Sequence, residues 1–431
     1  MKGISEFFFG IILFLFFLNI NFIIPIVNLT IPAYDIIVII LISYFTLCNS
    51  RQKMIYGLNG NYLKFVCFSL ICISILIFLS IVVGLFIYGD IILVNDLFSI
   101  IAPLRLLLYI IVGAHLASMD YKILIWRRGF VLSLLLFGAI YSISISLIQF
   151  LYIIGFTIPI ISDFSMSLIP ERYYNLRVVG PVGNPNWNSF DLNLIAVISF
   201  ALLRAAINKK SYKLMFGPIM LITFLLFLIF ITFSRTGIIT LFSLIFLFLY
   251  TTLKKAEIQH FLAIFILFLS LYKVGSILID ENKDKVNKRI ESTLKIQEAG
   301  QRAHLWSSRI EITSKRFPFG AGPSRNNLLD IVDSQLVLTY GDSGFFGLLI
   351  YLSMVLYLIF KPLSLLKSGT DPYISILLFI VISLGIIMFN YSVTTEFLRN
   401  MRASSILLML HSFFYYKVIL LRNKTYFQKV F

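Results

Sequence analysis

The sequence predicts an all-α integral membrane protein with about twelve transmembrane helices. The chain has 431 residues, of which 59% are hydrophobic and 13% charged, whereas a soluble domain carries about 25% charged residues. Apolar segments of roughly 20 residues, the length that crosses a bilayer as a helix, recur along the chain. Because they extend from Phe7 to Leu421, we expect residues 1–431 to form a single polytopic membrane domain.

Twelve segments are predicted to span the membrane. They are residues 7–27, 33–48, 64–88, 97–117, 130–156, 189–207, 214–232, 237–253, 258–279, 344–360, 373–390 and 403–421. The net charge of +16 would suggest a nucleic-acid partner in a soluble protein. Here most Lys and Arg residues lie just beyond the ends of apolar segments, so we predict no nucleic-acid partner.

The basic residues predict the orientation. Every second connection is basic, as at Lys209 and Lys210, and such connections face the cytoplasm. Both termini are then cytoplasmic. Two outer loops are long, residues 157–188 and 280–343, and long loops translocate largely regardless of their charge. Functional residues concentrate in loops, so we expect the chemistry in these two.

The first long loop contains groups that suit an anion. Arg172 and Arg177 could form forked hydrogen bonds, Asn184 and Asn186 offer amides, and Gly183 allows close backbone approach. Together they could cradle a phosphate beside the membrane. An ordinary interfacial loop with a turn after Asn184 is the alternative.

Two arginines stand at or within the predicted hydrocarbon region. Arg235 follows the tight outer turn between two spans, where a guanidinium is costly unless it binds an anion or snorkels. Arg105 lies inside the fourth span. For Arg105 a functional role and a structural pairing with a carboxylate or carbonyl both stay open.

The second long loop is predicted to be helical over much of its length. Arg302, Arg309 and Arg316 are seven residues apart, which would place them on one helical face. A cationic stripe facing the membrane surface could hold phosphates or bind anionic lipid headgroups. Gly320 and Gly322, in the breaker that follows, complete the predicted substrate-binding segment.

Several catalytic motifs are absent from the sequence. It has no Asp-x-Asp metal motif of the kind used with nucleotide sugars, no phosphate-binding Gly-x-x-x-x-Gly-Lys loop and no His-Glu-x-x-His. We therefore predict no metal and no cofactor.

With these residues in place, the chain resembles the bacterial O-antigen polymerase family, within the superfamily of O-antigen polymerases and ligases. The resemblance covers the whole architecture of spans and two large outer loops. Its most specific part is an Arg followed after ten residues by Gly in each loop, Arg172 with Gly183 and Arg309 with Gly320. One match is weak because 23 residues are glycine, but two matches in the two expected loops are more specific.

The resemblance implies a GT-C-like, metal-independent glycosyltransferase at the periplasmic face of the bacterial inner membrane. Such an enzyme joins undecaprenyl-pyrophosphate-linked oligosaccharide repeat units into O-antigen or a related surface polysaccharide. Its partners are these lipid-linked substrates and membrane lipid, and a chain-length regulator protein is left open. Arginines would stabilise the pyrophosphate leaving group in place of a metal.

A base must also take the proton of the acceptor hydroxyl, and the sequence does not choose among Asp333, Glu311 and Asp191. An O-antigen ligase is one alternative. Ligases resemble one another in a motif that starts with His. Here Asp333 stands at the position of that His, and it is followed by Ser334, nine further residues and Gly344. A flippase or transporter of lipid-linked sugars is another, although no internal repeat is evident.

Overall fold

Long α-helices make up most of the chain that a computed structural model describes. The described residues are 11–12, 21–24, 29–32, 35–40, 61–91, 94–119, 129–153, 156–157, 178–252, 296–323, 334–366, 371–398 and 400–430.

A short antiparallel hairpin precedes the first long helix. Strand β1, Asn21–Ile24, pairs with strand β2, Leu29–Pro32. The predicted first span, residues 7–27, is therefore wrong at its C-terminal end, where the chain is extended. The sequence explains this difference, since β-branched residues favour strands and Pro25 cannot supply the N–H that a continuing helix needs.

Ten long helices are described. They are α1 (Asn61–Tyr88), α2 (Val94–Met119), α3 (Gly129–Ile153), α4 (Pro185–Asn208), α5 (Tyr212–Ile231), α6 (Arg235–Thr252), α7 (Ile296–Ser314), α8 (Gln335–Leu365), α9 (Pro372–Thr394) and α10 (Met401–Val430).

Eight of these helices, α1, α2, α4, α5, α6, α8, α9 and α10, are long and apolar enough to cross a membrane. Helix α3 adds a shorter apolar stretch, residues 138–153. The predicted class, a helical membrane protein, is confirmed. Predicted spans 33–48 and 258–279 fall largely or wholly outside the described residues, so the number twelve stays a prediction.

Helices α4, α9 and α10 lie at the centre of the bundle. In the apolar windows of α4 and α10, 78% of the residues are buried, and in α9 72%, against 33% in α1. Helix α9 packs on α4, α6, α8 and α10, while α2 packs on α1 and α10. The peripheral helices expose large apolar side chains, among them Phe86 and Phe246, as a lipid-facing surface requires.

The two ends of the bundle differ in their chemistry. The N-termini of α4, α6, α8 and α10 and the C-termini of α1, α5 and α9 meet at one end, which we call the site end. At the opposite end the exposed Lys209 and Lys210 follow α4. There Arg204 is buried and donates to Thr251 O and Ser375 Oγ.

Candidate functional site

The first long loop enters α4 through a well-defined cap. Asn184 is the N-cap residue, its side-chain oxygen accepts from Asn186 N at 2.9 Å, and Pro185 occupies the first turn, as expected for a helix start. Gly183, at φ 65°, ends a short 3-10 helix, Gly180–Val182. Two of the predicted substrate-binding residues, Gly183 and Asn184, thus also shape the backbone.

This loop is anchored to α3 by a buried amide. Gln149 Oε1 accepts from the backbone N–H groups of Val179 and Gly180, at 3.1 and 2.8 Å. Asn188, buried in the first turn of α4, exchanges hydrogen bonds with Ser146 of α3. The turn that follows the predicted arginines Arg172 and Arg177 is therefore held rigidly against the bundle.

A cluster of hydroxyl and amide groups joins α4, α6 and α9 at the site end. Ser189 Oγ lies 2.7 Å from Asn186 O, 2.9 Å from Ser234 Oγ and 2.8 Å from the Tyr391 hydroxyl. Ser234 Oγ also donates to Asn186 Oδ1 at 3.0 Å. We call Asn186, Ser189, Ser234 and Tyr391 the hydroxyl cluster.

Arg235 stands beside the hydroxyl cluster with an exposed side chain. Two residues later, Gly237 allows α6 to approach α4, since a Cβ there would collide with Ser189. The structure therefore brings Asn184, Asn186 and Arg235, three predicted substrate-binding residues, to the same end of the bundle.

Two charged residues within predicted spans, Arg105 and Asp191, both have partners. Arg105 donates to Asp35 at 2.6 Å, and Asp35 also accepts from Tyr109. The structural pairing of Arg105 is thus confirmed. Asp191, a candidate base, is fully buried in α4 and accepts from Arg402 of α10 at 2.6 Å.

The predicted cationic stripe of the second long loop is wrong in two respects. Helix α7 ends at Ser314, so Arg316 lies beyond it and does not share a helical face with Arg302 and Arg309. The residue before a proline is disfavoured in the α conformation, and Phe317-Pro318 follows directly. Arg309 is only 2% exposed, so it faces the bundle and not the membrane surface.

Arg309 lies beside a carboxylate of α8. Its Nη2 atom is 3.9 Å from Asp342 Oδ1, and the Asp342 side chain is also largely buried. Trp306, one turn earlier in α7, packs against Val337 and Leu338 of α8. Helix α7 is therefore docked on the N-terminal part of α8.

Arg316 pairs with an acidic residue that follows α1. Its guanidinium makes a two-point contact with Asp90, with Nη2 to Oδ1 at 3.2 Å, and stacks over Tyr88, 4.0 Å from the ring centre. The contact ties the second long loop to the end of α1. Substrate binding by Arg316 stays a prediction. A bound phosphate would have to compete with Asp90 for the Arg316 guanidinium.

Gly320 and Gly322 lie against a break in α8. Gly344 has φ 72° and ψ −166°, which interrupts the helix, and Phe345 N donates to Pro318 O at 3.1 Å. Ala321 N and Gly322 N both donate to Gly341 O, at 2.8 and 3.2 Å. These contacts give Gly320 and Gly322 a packing role, and their role in substrate binding is untested.

A small cavity of about 30 Å³ lies next to Asp342. Its polar wall consists of Ser99, Gln335, Thr339, Asp342 and Ser343, and its apolar wall of Ile73, Ile77, Ala102, Pro103 and Leu398. A site needs about 10–15 Å³ to hold one water. The cavity therefore has room for a water or for a hydroxyl group.

The turn between α9 and α10 connects the two parts of the site. Gln335 N donates to Thr395 O, and Leu398 N donates to Gln335 Oε1, both at 2.9 Å. On its other side, Phe397 packs against Phe190 of α4. Helix α4, which contains Asn186, and helix α8, on which α7 with Arg309 packs, thus contact the same turn.

Several predicted site residues cannot be placed. Arg172, Arg177 and Asp333 lie outside the described residues, and of Arg302 only the helical backbone in α7 is described. The candidate base Glu311 is about 70% exposed and pairs with Lys315. Glu311 and Asp191 therefore do not share a site with Arg309.

Asp342, Arg402, Tyr391 and Asp90 were missed by the sequence reasoning. Arg402 had a usable signal, because it stands at the edge of an apolar span, as Arg235 does. Asp342 precedes a glycine-rich break in a span, a second signal. Tyr391 and Asp90 offer none, since their importance arises only from contacts with distant parts of the chain.

Among the residues that the structure describes, no three His, Cys, Asp or Glu side chains lie together as a metal-binding group. Comparison with models of known protein families and with curated proteins finds no match to this chain. Any assignment of function therefore rests on the sequence patterns and on the geometry of the site.

Proposed function

We propose that the protein polymerises polyprenyl-pyrophosphate-linked oligosaccharide repeat units into O-antigen or a related surface polysaccharide, at the periplasmic face of the bacterial inner membrane. The growing polymer is transferred from its lipid carrier to the next lipid-linked repeat unit. Undecaprenyl pyrophosphate is the leaving group, and no metal takes part.

One observation carries the proposal. The helices that follow the two Arg-x10-Gly segments, α4 after the first and α8 after the second, both contact the turn between α9 and α10 at one end of an apolar bundle. Gly183 and Gly320, the glycines of the two patterns, both have positive φ angles, 65° and 85°. Similar local conformations at the same end of the bundle agree with the resemblance to the polymerase family.

The charges at the site end suit a pyrophosphate. Arg235 is exposed beside the hydroxyl cluster, and Arg309 is buried in α7, within the second long loop. Positive groups placed where a leaving group develops charge lower the barrier to its departure. Lys209 and Lys210, at the opposite end, agree with a cytoplasmic location of that end, which would leave the site end outside.

Deletion of the gene in its own organism, with electrophoresis of the surface polysaccharide, tests the proposal. Loss of a polymerase leaves a single repeat unit on the core, and loss of a ligase leaves none. We expect a single repeat unit, and a ladder of polymer lengths once the intact gene is restored. An unchanged ladder in the deletion strain would rule out polymerisation as the function.

Purified protein in lipid vesicles provides the biochemical test. We expect it to convert undecaprenyl-pyrophosphate-linked repeat units into a ladder, with release of undecaprenyl pyrophosphate, and to do so in the presence of a chelator. A transporter would instead move the lipid-linked sugar across the bilayer without changing its length.

A further inference from the structure

We propose that the Asp342 carboxylate accepts the proton of the acceptor hydroxyl during polymerisation, an inference that rests on the function proposed above. Asp342 lies in α8, two residues before the backbone break at Gly344. It contributes to the polar wall of the small cavity between α1, α2 and α8. Among the described residues that line this cavity, it is the only carboxylate.

The size of the cavity fits this role. A general base must come within about 2.6–3.2 Å of the proton that it takes, and a volume of about 30 Å³ admits a hydroxyl group beside the carboxylate. Other polar groups of the wall are committed to internal hydrogen bonds. Gln335 Nε2 donates to Thr339 Oγ1 at 3.0 Å, and Ser343 Oγ donates to Thr339 O at 2.7 Å.

Arg309 places a positive charge next to this carboxylate. Its Nη2 atom lies 3.9 Å from Asp342 Oδ1 in a buried environment, where water screens charges weakly. The guanidinium would stabilise negative charge both on the carboxylate before the reaction and on the pyrophosphate as it leaves. The base and one of the predicted anion-binding arginines then belong to one site.

Of the candidate bases that the sequence suggested, Glu311 and Asp191 are committed elsewhere, and Asp333 lies outside the described residues. Glu311 projects from α7 into the surroundings and pairs with Lys315. Asp191 is fully buried against Arg402, and Asp90 makes a two-point contact with Arg316.

In the proposed step, the acceptor hydroxyl oxygen forms a bond to the anomeric carbon of the donor sugar. The bond between that carbon and the pyrophosphate oxygen breaks, and its electron pair leaves with the lipid pyrophosphate. The hydroxyl proton passes to an Asp342 oxygen. Asp342 then returns the proton to water or to the released pyrophosphate, so no further reactant is consumed.

The test compares Asp342→Asn with the unaltered protein in vesicles supplied with undecaprenyl-pyrophosphate-linked repeat units. We expect kcat to fall roughly 10²- to 10⁴-fold, the usual contribution of a general base, with KM close to that of the unaltered protein. Asp371→Asn, at the exposed N-cap of α9 at the opposite end of the bundle, is the matched control with unchanged kcat, because asparagine also caps a helix.

Asp342→Glu keeps the negative charge beside Arg309 but moves its oxygens, so it tests the role if the Asn variant fails to fold. We expect a lower kcat with unchanged KM and a normal amount of protein. Unchanged kcat in either variant, or a loss that appears only in KM, would overturn the role of Asp342 while polymerisation by the unaltered protein stands. Failure of the unaltered protein to polymerise would contradict the proposed function itself, and therefore also this inference.

Discussion

Arg402 of α10 donates a hydrogen bond to Asp191 of α4 over 2.6 Å, and both side chains are buried in the bundle. A buried charge without its partner is costly, and removal of one member of such a pair costs about 3–5 kcal/mol. Arg402 donates to Asp191 Oδ2, and Oδ1 has no hydrogen-bond partner among the described residues, so the carboxylate depends on Arg402.

We therefore predict that Asp191→Asn and Arg402→Gln each lower the melting temperature of the protein in detergent and its amount in membranes. The double variant Asp191→Leu/Arg402→Met should recover much of this loss, because no unpaired charge remains. Glu311→Ala, which breaks the exposed pair with Lys315, is the control and should change stability little. Equal effects of buried and exposed single variants would contradict the structural role.

The break in α8 gives a second prediction. Gly344 has a positive φ angle, and a Cβ there would collide with Pro318 O and lie 2.8 Å from Gly320 N, closer than a Cβ atom approaches such neighbours. Gly344→Ala should therefore displace the segment that includes Gly320 and Gly322 and lower activity strongly. Protease sensitivity of the second long loop would measure the displacement.

Gly217→Ala is the matched control for this variant. Gly217 lies in α5, and a Cβ there would meet no atom within 4 Å, so the substitution should leave activity unchanged. It should stabilise the helix slightly, since alanine favours the α conformation by about 1 kcal/mol over glycine. Normal activity and protease resistance of Gly344→Ala would show that the close approach of the two segments is not required.

The membrane class and much of the helix placement were predictable because each depends on a local apolar pattern. The start of α4 follows from Asn184-Pro185. The predicted span 344–360 begins at the break in α8, although the helix itself starts earlier, at Gln335. Proline chemistry also explains the two local errors. In the sequence, Pro25 directly follows strand β1, and Pro318 follows the end of α7.

The pairings within the site could not be predicted in the same way. Arg402 and Asp191 are 211 residues apart in the sequence, and Arg316 and Asp90 are 226 apart. Whether an arginine at a membrane edge binds a carboxylate, a phosphate or water depends on which helices become neighbours. A single sequence predicts that such a cation needs a partner, but not which partner it has.

The orientation gives a third prediction. The basic connections predict that residues 157–188 and 280–343 lie outside the cytoplasm. Single cysteines at Ser165 and Ser292, in a chain whose three native cysteines are replaced by serine, should react with a membrane-impermeant reagent in intact spheroplasts. Lys210→Cys, at the opposite end of the bundle, should react only after permeabilisation. The reverse pattern would invert the topology and place the site end in the cytoplasm.

The last prediction concerns the arginines proposed to hold the pyrophosphate. A guanidinium binds phosphate through two parallel hydrogen bonds, and an ammonium cannot reproduce this geometry. Lysine at Arg172, Arg177 or Arg302 should therefore lower the rate of polymerisation nearly as much as alanine does, by roughly tenfold to hundredfold for the loss of a charged hydrogen bond. Arg309→Lys should lower the rate further, because the substitution also alters the buried contact with Asp342. Arg422→Lys, at the opposite end of α10, is the control and should leave the rate unchanged. Rates are compared at equal amounts of protein in vesicles, and normal polymerisation by all the lysine variants would mean that charge alone, without forked hydrogen bonds, accounts for binding.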